Sequence, residues 1–73
     1  MNKEKLTEEF MKIAGRMSYY NAAEGSWSRE ATARGQCRTA FRETASKLLE
    51  LGATEEELKT IAGGYLVSSS DYL

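Results

Sequence analysis

Proline and histidine are absent from this chain, and only one cysteine occurs. A single cysteine excludes an internal disulfide, and without histidine it makes no recognisable zinc or haem site. No apolar run approaches the roughly 20 residues that span a bilayer, and the first residues, MNKEKLTEEF, lack the apolar core of a signal peptide. We therefore expect a cytoplasmic protein with no metal, no cofactor and no membrane contact.

The chain is short, at 73 residues, which is near the lower limit for a domain that folds alone. Its composition, 41% hydrophobic and 29% charged, is typical of a globular protein. Domains this small often gain stability from a second copy, so a homodimer is expected. We predict a single helical domain over 1–67 and a flexible C-terminal tail over 68–73, apart from Tyr72 and Leu73.

Strand-like alternation is missing, whereas apolar residues recur at steps of three and four. The spacing predicts an all-α fold of three helices, over about 3–20, 27–51 and 55–66. Gly25 reverses the chain between the first two helices, which form a long antiparallel hairpin. The predicted apolar faces are Leu6, Phe10, Ile13, Ala14 and Met17 in the first helix, Ala33, Cys37, Ala40, Phe41, Thr44, Leu48 and Leu51 in the second, and Leu58, Ile61, Ala62, Tyr65 and Leu66 in the third.

The second helix is longer than the first and overhangs it. The overhang leaves Leu48, Leu49 and Leu51 without a partner in the hairpin. Either the third helix folds back over these leucines or a second molecule covers them, and we expect both in part. The three leucines are therefore predicted to form the homodimer contact.

Residues 44–63 resemble a degenerate helix-turn-helix, with Gly52 as its turn glycine. The motif fits poorly, because Leu48 stands where a small residue is usual and Lys47 where an apolar one is. Glu55 and Glu56 would face the DNA groove and oppose the attraction to phosphates. A capped helix that closes the core is the better interpretation.

The net charge of −1 hides a basic middle and an acidic end. Residues 27–47 carry five basic and two acidic side chains, whereas residues 48–73 carry one basic and five acidic. Arg34, Arg38 and Arg42 stand one helical turn apart and form one column, which we call the arginine column. Either these arginines pair with glutamates of helix 1 or helix 3, or they bind an acidic protein surface or a nucleic-acid backbone.

Tyr19, Tyr20 and Trp27 bracket the predicted hairpin loop, next to Arg29. Aromatic residues at the base of a loop often do no more than pack the turn. A cluster of tyrosine, tryptophan and arginine is also typical of protein-binding hot spots. This cluster and the arginine column are the predicted partner-binding residues.

Catalysis is not predicted. Cys37 falls on the apolar face of helix 2 and has no histidine to act as its base, so it is expected to be buried and inert. The run Glu55 to Glu57 reads as the acidic start of a helix rather than as paired catalytic carboxylates.

These features predict a small non-enzymatic module that occupies the surface of another protein, with an acidic surface as the expected target. Adaptors, regulators and inhibitors of this size, including those of phages and mobile elements, are often built this way, although that link is one of type and not of residues. The alternative function is a nucleic-acid-binding regulator that uses the arginine column.

Overall fold

Three α-helices make up most of the computed structural model, which describes residues 2–23 and 28–73. They are α1 (Lys3–Ala22), α2 (Ser28–Glu50) and α3 (Glu55–Ala62), and a single 3-10 turn follows at Ser69–Asp71. No strand occurs within these described ranges. The predicted all-α class, with a long hairpin and a short third helix, is confirmed.

The helix ends follow from local hydrogen bonding. The Oδ1 of Asn2 accepts from the backbone N–H of Lys5 at 2.8 Å and caps the start of α1. Gly52 has φ +102°, a left-handed conformation that suits glycine, and it ends the turn after α2. Thr54 then caps α3 by accepting from the N–H of Glu57 at 3.1 Å.

Helices α1 and α2 run antiparallel, and their aromatic side chains form the centre of the core. The rings of Phe10 and Phe41 are 4.7 Å apart, and both side chains are completely buried. Tyr72 completes the cluster from the residues that follow α3, 63–73, which we call the C-terminal segment; its ring lies 5.4 Å from Phe10 and 5.2 Å from Phe41. Residues from α1, α2, α3 and the C-terminal segment therefore share one core.

The prediction of a flexible tail over 68–73 is corrected by this packing. Tyr72 is only 4% exposed and Asp71 only 3% exposed. The spacing of apolar residues missed the segment because one aromatic side chain, rather than a helical stripe, inserts into the core. The third helix also ends at Ala62 rather than near 66, since Gly63 and Gly64 disfavour helix.

The leucines at the end of α2 are covered to different degrees. Leu48 is 1% exposed and belongs to the core together with Leu58, so the chain itself covers it and Leu48 is not open to the predicted homodimer contact. Leu49 is half-buried against the core, whereas Leu51 is 48% exposed. Helix α3 folds back under the overhang because the turn at Gly52 and Ala53 brings Leu58 into the same core.

Candidate functional site

The arginine column binds the protein's own C-terminal segment. The Nη2 of Arg38 donates to the Oδ1 of Asp71 at 3.0 Å, so the guanidinium of Arg38 forms an ion pair with a buried carboxylate. The Nη2 of Arg42 donates to the carbonyl oxygen of Ser70 at 2.8 Å. The Nε of Arg38 is buried and has no hydrogen-bond partner among the described residues, which reduces the net gain from the pair. Two of the three arginines thus hold residues 70 and 71 against α2.

Asn21, near the end of α1, joins the third arginine to the same segment. Its Oδ1 accepts from the Nε of Arg34 at 2.9 Å. Its Nδ2 donates to the carbonyl oxygen of Leu66 at 2.9 Å and to the Oδ2 of Asp71 at 3.3 Å. One amide therefore links α1, α2 and the C-terminal segment.

The predicted partners of the arginine column, glutamates of helix 1 or helix 3, are wrong. The partners are Asn21, the Ser70 carbonyl and Asp71, and of these only Asp71 carries a charge. The sequence could not indicate them, because Asp71 lies 33 residues from Arg38 and no helical spacing relates the two. The arginine column is thus engaged within the chain, and a partner that used it would compete with these bonds.

Asp71 is the most heavily bonded carboxylate in the described part of the chain. Besides Arg38 and Asn21, it accepts from the backbone N–H of Ser68 at 3.0 Å. Burial by itself would raise the pKa of Asp71. The hydrogen bonds from Ser68, Arg38 and Asn21 and the positive charge of Arg38 outweigh burial, so the pKa lies below its ordinary value.

We expect Asp71→Asn to destabilise the protein by roughly 1.5–3 kcal/mol at neutral pH, because hydrogen bonds to a charged group are lost. A lowered folded-state pKa gives stability that is present above the unfolded-state pKa, about 3.9, and is lost as the pH falls through the folded-state pKa. Urea melts of the wild type and of Asp71→Asn between neutral and acidic pH should therefore converge at low pH. Glu56→Gln, at an exposed position, is the matched control. Parallel curves for Asp71→Asn and the wild type would contradict this role.

The tyrosines at the end of α1 differ in exposure. Tyr19 is 70% exposed, and Tyr20 is half-buried. Their rings meet edge to face with centroids 5.4 Å apart. Trp27 and the side chain of Arg29, the other members of the predicted cluster, lie outside the described residues.

A shallow groove runs between α1 and α2 on the side of the hairpin away from the C-terminal segment. We call it the hairpin groove. Two adjoining depressions make it up, and Ile13, Arg16 and Ala40 line both of them. The remaining lining residues are Tyr20, Ala33, Gln36 and Cys37 toward the hairpin loop, and Glu9, Lys12, Glu43, Thr44 and Lys47 toward the other end. Residues of α3 and the C-terminal segment do not appear among them.

The floor of the hairpin groove is apolar and partly exposed. Ile13 and Cys37 are half-buried against the core, and Ala40 is exposed. Of the predicted core stripe of α2, Phe41, Thr44 and Leu48 are buried, and Ala45 joins them. Ala33 and Cys37 are only half-buried and Ala40 is exposed, so the prediction that these three lie in the core is corrected. The small residues next to that stripe form the groove floor.

Charged residues border the groove and form no ion pair with any other residue that the structure describes. Lys12, Arg16 and Lys47 are cationic, and Glu9 and Glu43 are anionic. Among the described residues the ion pairs are Lys3–Glu57 and Arg38–Asp71, so none of these five belongs to one. Their charges are available to a partner.

Cys37 has the properties of a structural thiol. Burial raises its pKa, although the charge of Arg16 acts in the opposite direction. Its Sγ donates to the carbonyl oxygen of Ile13 at 3.8 Å. The thiol is therefore protonated at neutral pH and is a poor nucleophile.

The described residues hold no cluster of three potential metal ligands among histidine, cysteine, aspartate and glutamate. Within the same residues no helix has the length and apolarity needed to cross a bilayer. The hairpin groove provides a concave apolar surface, bordered by charged side chains that form no ion pair among the described residues.

No family model, curated protein or solved structure matches this chain.

Proposed function

We propose that this protein is a non-enzymatic interaction module, an adaptor, regulator or inhibitor, that binds another protein segment in the hairpin groove. The observation that carries the proposal is the uncovered face of α1 and α2. There, an apolar floor at Ile13 and Ala40 is bordered by charges that have no ion-pair partner in the described chain.

The groove suits a helix better than an extended strand. It lies between two antiparallel helices, and a third helix packed there would extend the bundle with the ordinary geometry of helix packing. Ala33 and Ala40 have small side chains, so a partner backbone can approach α2 closely. Tyr20 at one end and Ile13 in the middle supply the larger apolar contacts.

The acidic target expected from the arginine column has a better basis in Arg16. This residue borders both halves of the groove and has no carboxylate partner among the described residues. Tyr19 and Tyr20 lie one turn further along α1, so an acidic side chain on a partner could pair with Arg16 beside aromatic surface.

Substituting Ala40 with arginine tests the proposal. Ala40 is exposed and arginine is a good helix former, so Ala40→Arg should fold normally while its side chain fills the groove. Thr39→Arg adds the same charge at the neighbouring exposed position, outside the groove lining, and is the matched control.

In affinity capture from the native host, followed by mass spectrometry, wild type and Thr39→Arg should retain the same proteins and Ala40→Arg should lose them. Circular dichroism checks that all three fold. Equal capture by all three variants would contradict the use of the groove. Salt-sensitive recovery of nucleic acid in place of protein would instead favour a nucleic-acid regulator.

A further inference from the structure

We infer that the hairpin groove binds the hairpin groove of a second copy of this chain. The two hairpins then pack face to face as a four-helix bundle. The inference rests on the proposed function, because it names the partner of the same surface. It also moves the expected homodimer contact away from the end of α2, where Leu48 is buried in the core of its own chain.

The lining residues fix the position of the groove's centre. Ile13 and Ala40 line both halves, so they mark its middle. Because α1 and α2 are antiparallel, Lys47 lies at about the level of residue 6 and Ala33 at about the level of Tyr20. The groove thus extends about seven residues, or roughly 10 Å, to either side of Ile13.

Opposite charges lie on the two sides of that centre. Arg16 lies three residues beyond Ile13 toward the hairpin loop, and Glu9 lies four residues before it. At 1.5 Å per residue, the two charges are about 5 and 6 Å from the centre, on opposite sides. Consider a two-fold axis that passes through the centre, lies in the plane of contact and is perpendicular to the helices. It places Arg16 of each copy against Glu9 of the other, which forms two equivalent ion pairs.

The same charges disfavour the other face-to-face arrangement. A two-fold axis parallel to the helices would place α1 of one copy against α2 of the other, with the same ends of the two hairpins together. Glu43 and Glu9 of opposite copies would then face each other, and Arg16 would meet the neutral Gln36 and Cys37. Charge complementarity therefore favours the first arrangement, in which the two hairpins point in opposite directions.

The neighbouring groups are compatible with that arrangement. Lys47 of one copy reaches the end occupied by Tyr20 of the other, where its ammonium can lie against the ring. Lys12 stands near the axis, so the two copies bring their Lys12 side chains to the same level, and this like-charge approach is relieved when each long side chain extends into water at the outer border. Each copy contributes about a dozen lining residues, fewer than the 20–30 of a standard interface, so the expected dissociation constant is micromolar rather than nanomolar.

Light scattering on the intact chain tests this inference. The mass should rise from that of a monomer toward twice that value between about 10 µM and about 1 mM, as expected for a small interface. Arg16→Glu should weaken association at least about tenfold, since like charges then face each other at two symmetric points. The swap Arg16→Glu/Glu9→Arg should restore it. Lys59→Glu, at an exposed position on α3, should leave association unchanged.

A cross-link gives a second, independent readout. In a protein that also carries Cys37→Ala, Ala40→Cys places a thiol at the proposed axis. There the thiol of one copy lies close to the same thiol of the other copy. Mild oxidation should yield a covalent dimer much faster than in the matched Cys37→Ala/Thr39→Cys protein.

Three results would overturn the dimer: a constant monomer mass over the whole range, a failure of the charge swap to restore association, or equal cross-linking rates at positions 39 and 40. If the protein is a monomer but Ala40→Arg still abolishes capture of another protein, the proposed function stands and only the dimer is wrong. If neither self-association nor capture depends on Ala40, both are wrong.

Discussion

Replacing Tyr72 with alanine is expected to destabilise the protein by about 3–5 kcal/mol, as large-to-small changes at buried aromatic positions do. Tyr72 is 4% exposed and contacts the rings of Phe10 and Phe41, so the truncation leaves a cavity at the centre of the core. A domain of this size has little stability in reserve, and the variant should be largely unfolded at room temperature. Urea or thermal melts followed by circular dichroism measure the effect.

Two substitutions serve as controls for Tyr72→Ala. Tyr72→Phe keeps the ring contacts and removes only the hydroxyl group, so it should stay within about 1 kcal/mol of the wild type. Leu73→Ala changes the adjacent residue, which is 41% exposed, and should have a small effect. If Tyr72→Ala melts like the wild type, the C-terminal segment is not part of the core.

Phe41→Ala should have an effect of similar size, again about 3–5 kcal/mol. Phe41 is completely buried at the centre of α2 and contacts both Phe10 and Tyr72. The loss would separate the two long helices as well as the C-terminal segment. Equilibrium unfolding in urea gives the free energy of unfolding directly.

Glu43→Ala is the control on the same helix, and it should change stability by less than about 0.5 kcal/mol because the side chain is exposed and makes no ion pair among the described residues. The measurement is made at low protein concentration, where dimers do not contribute. Equal and small effects of Phe41→Ala and Glu43→Ala would show that α2 does not bury the face assigned to it.

Asp71 and Tyr72 act on the same segment by different means. Tyr72 contributes apolar burial, whereas Asp71 contributes bonds to Arg38, Asn21 and the Ser68 backbone. Because both depend on a docked segment, the effects of Asp71→Asn and Tyr72→Ala should be less than additive. The same dependence makes reversal of all three arginines of the column a poor test of partner binding, since that change would also detach the segment.

The candidate site was only partly predictable from the sequence. The sequence selected Tyr19 as a member of the aromatic cluster, and the structure leaves 70% of its surface accessible. Arg16 was not selected, because one cation on a helix gives no signal until the neighbouring helix shows which side of it borders a groove. Ala33 and Ala40 looked like core residues, since small apolar side chains occur equally well in a core stripe and beside it.

The sequence by itself determined the helices and their order. Helical spacing of apolar residues, the caps at Asn2 and Thr54 and the glycine at 52 depend on interactions within a few residues, so local patterns predict them well. The end of α3 was predicted too late, near 66 instead of Ala62, although its cause, the pair Gly63–Gly64, is equally local.

Only the tertiary structure decided what the arginine column does, where the C-terminal segment lies and which face of the hairpin remains open. Each depends on residues far apart in the chain, such as Arg38 with Asp71 or Tyr72 with Phe10. Single residues such as Tyr72 and Asp71 have no periodicity that a sequence pattern could show. Burial of Tyr72 and the ion pair of Asp71 nevertheless dock the C-terminal segment on one side of the hairpin. With that side covered, the hairpin groove is left on the other.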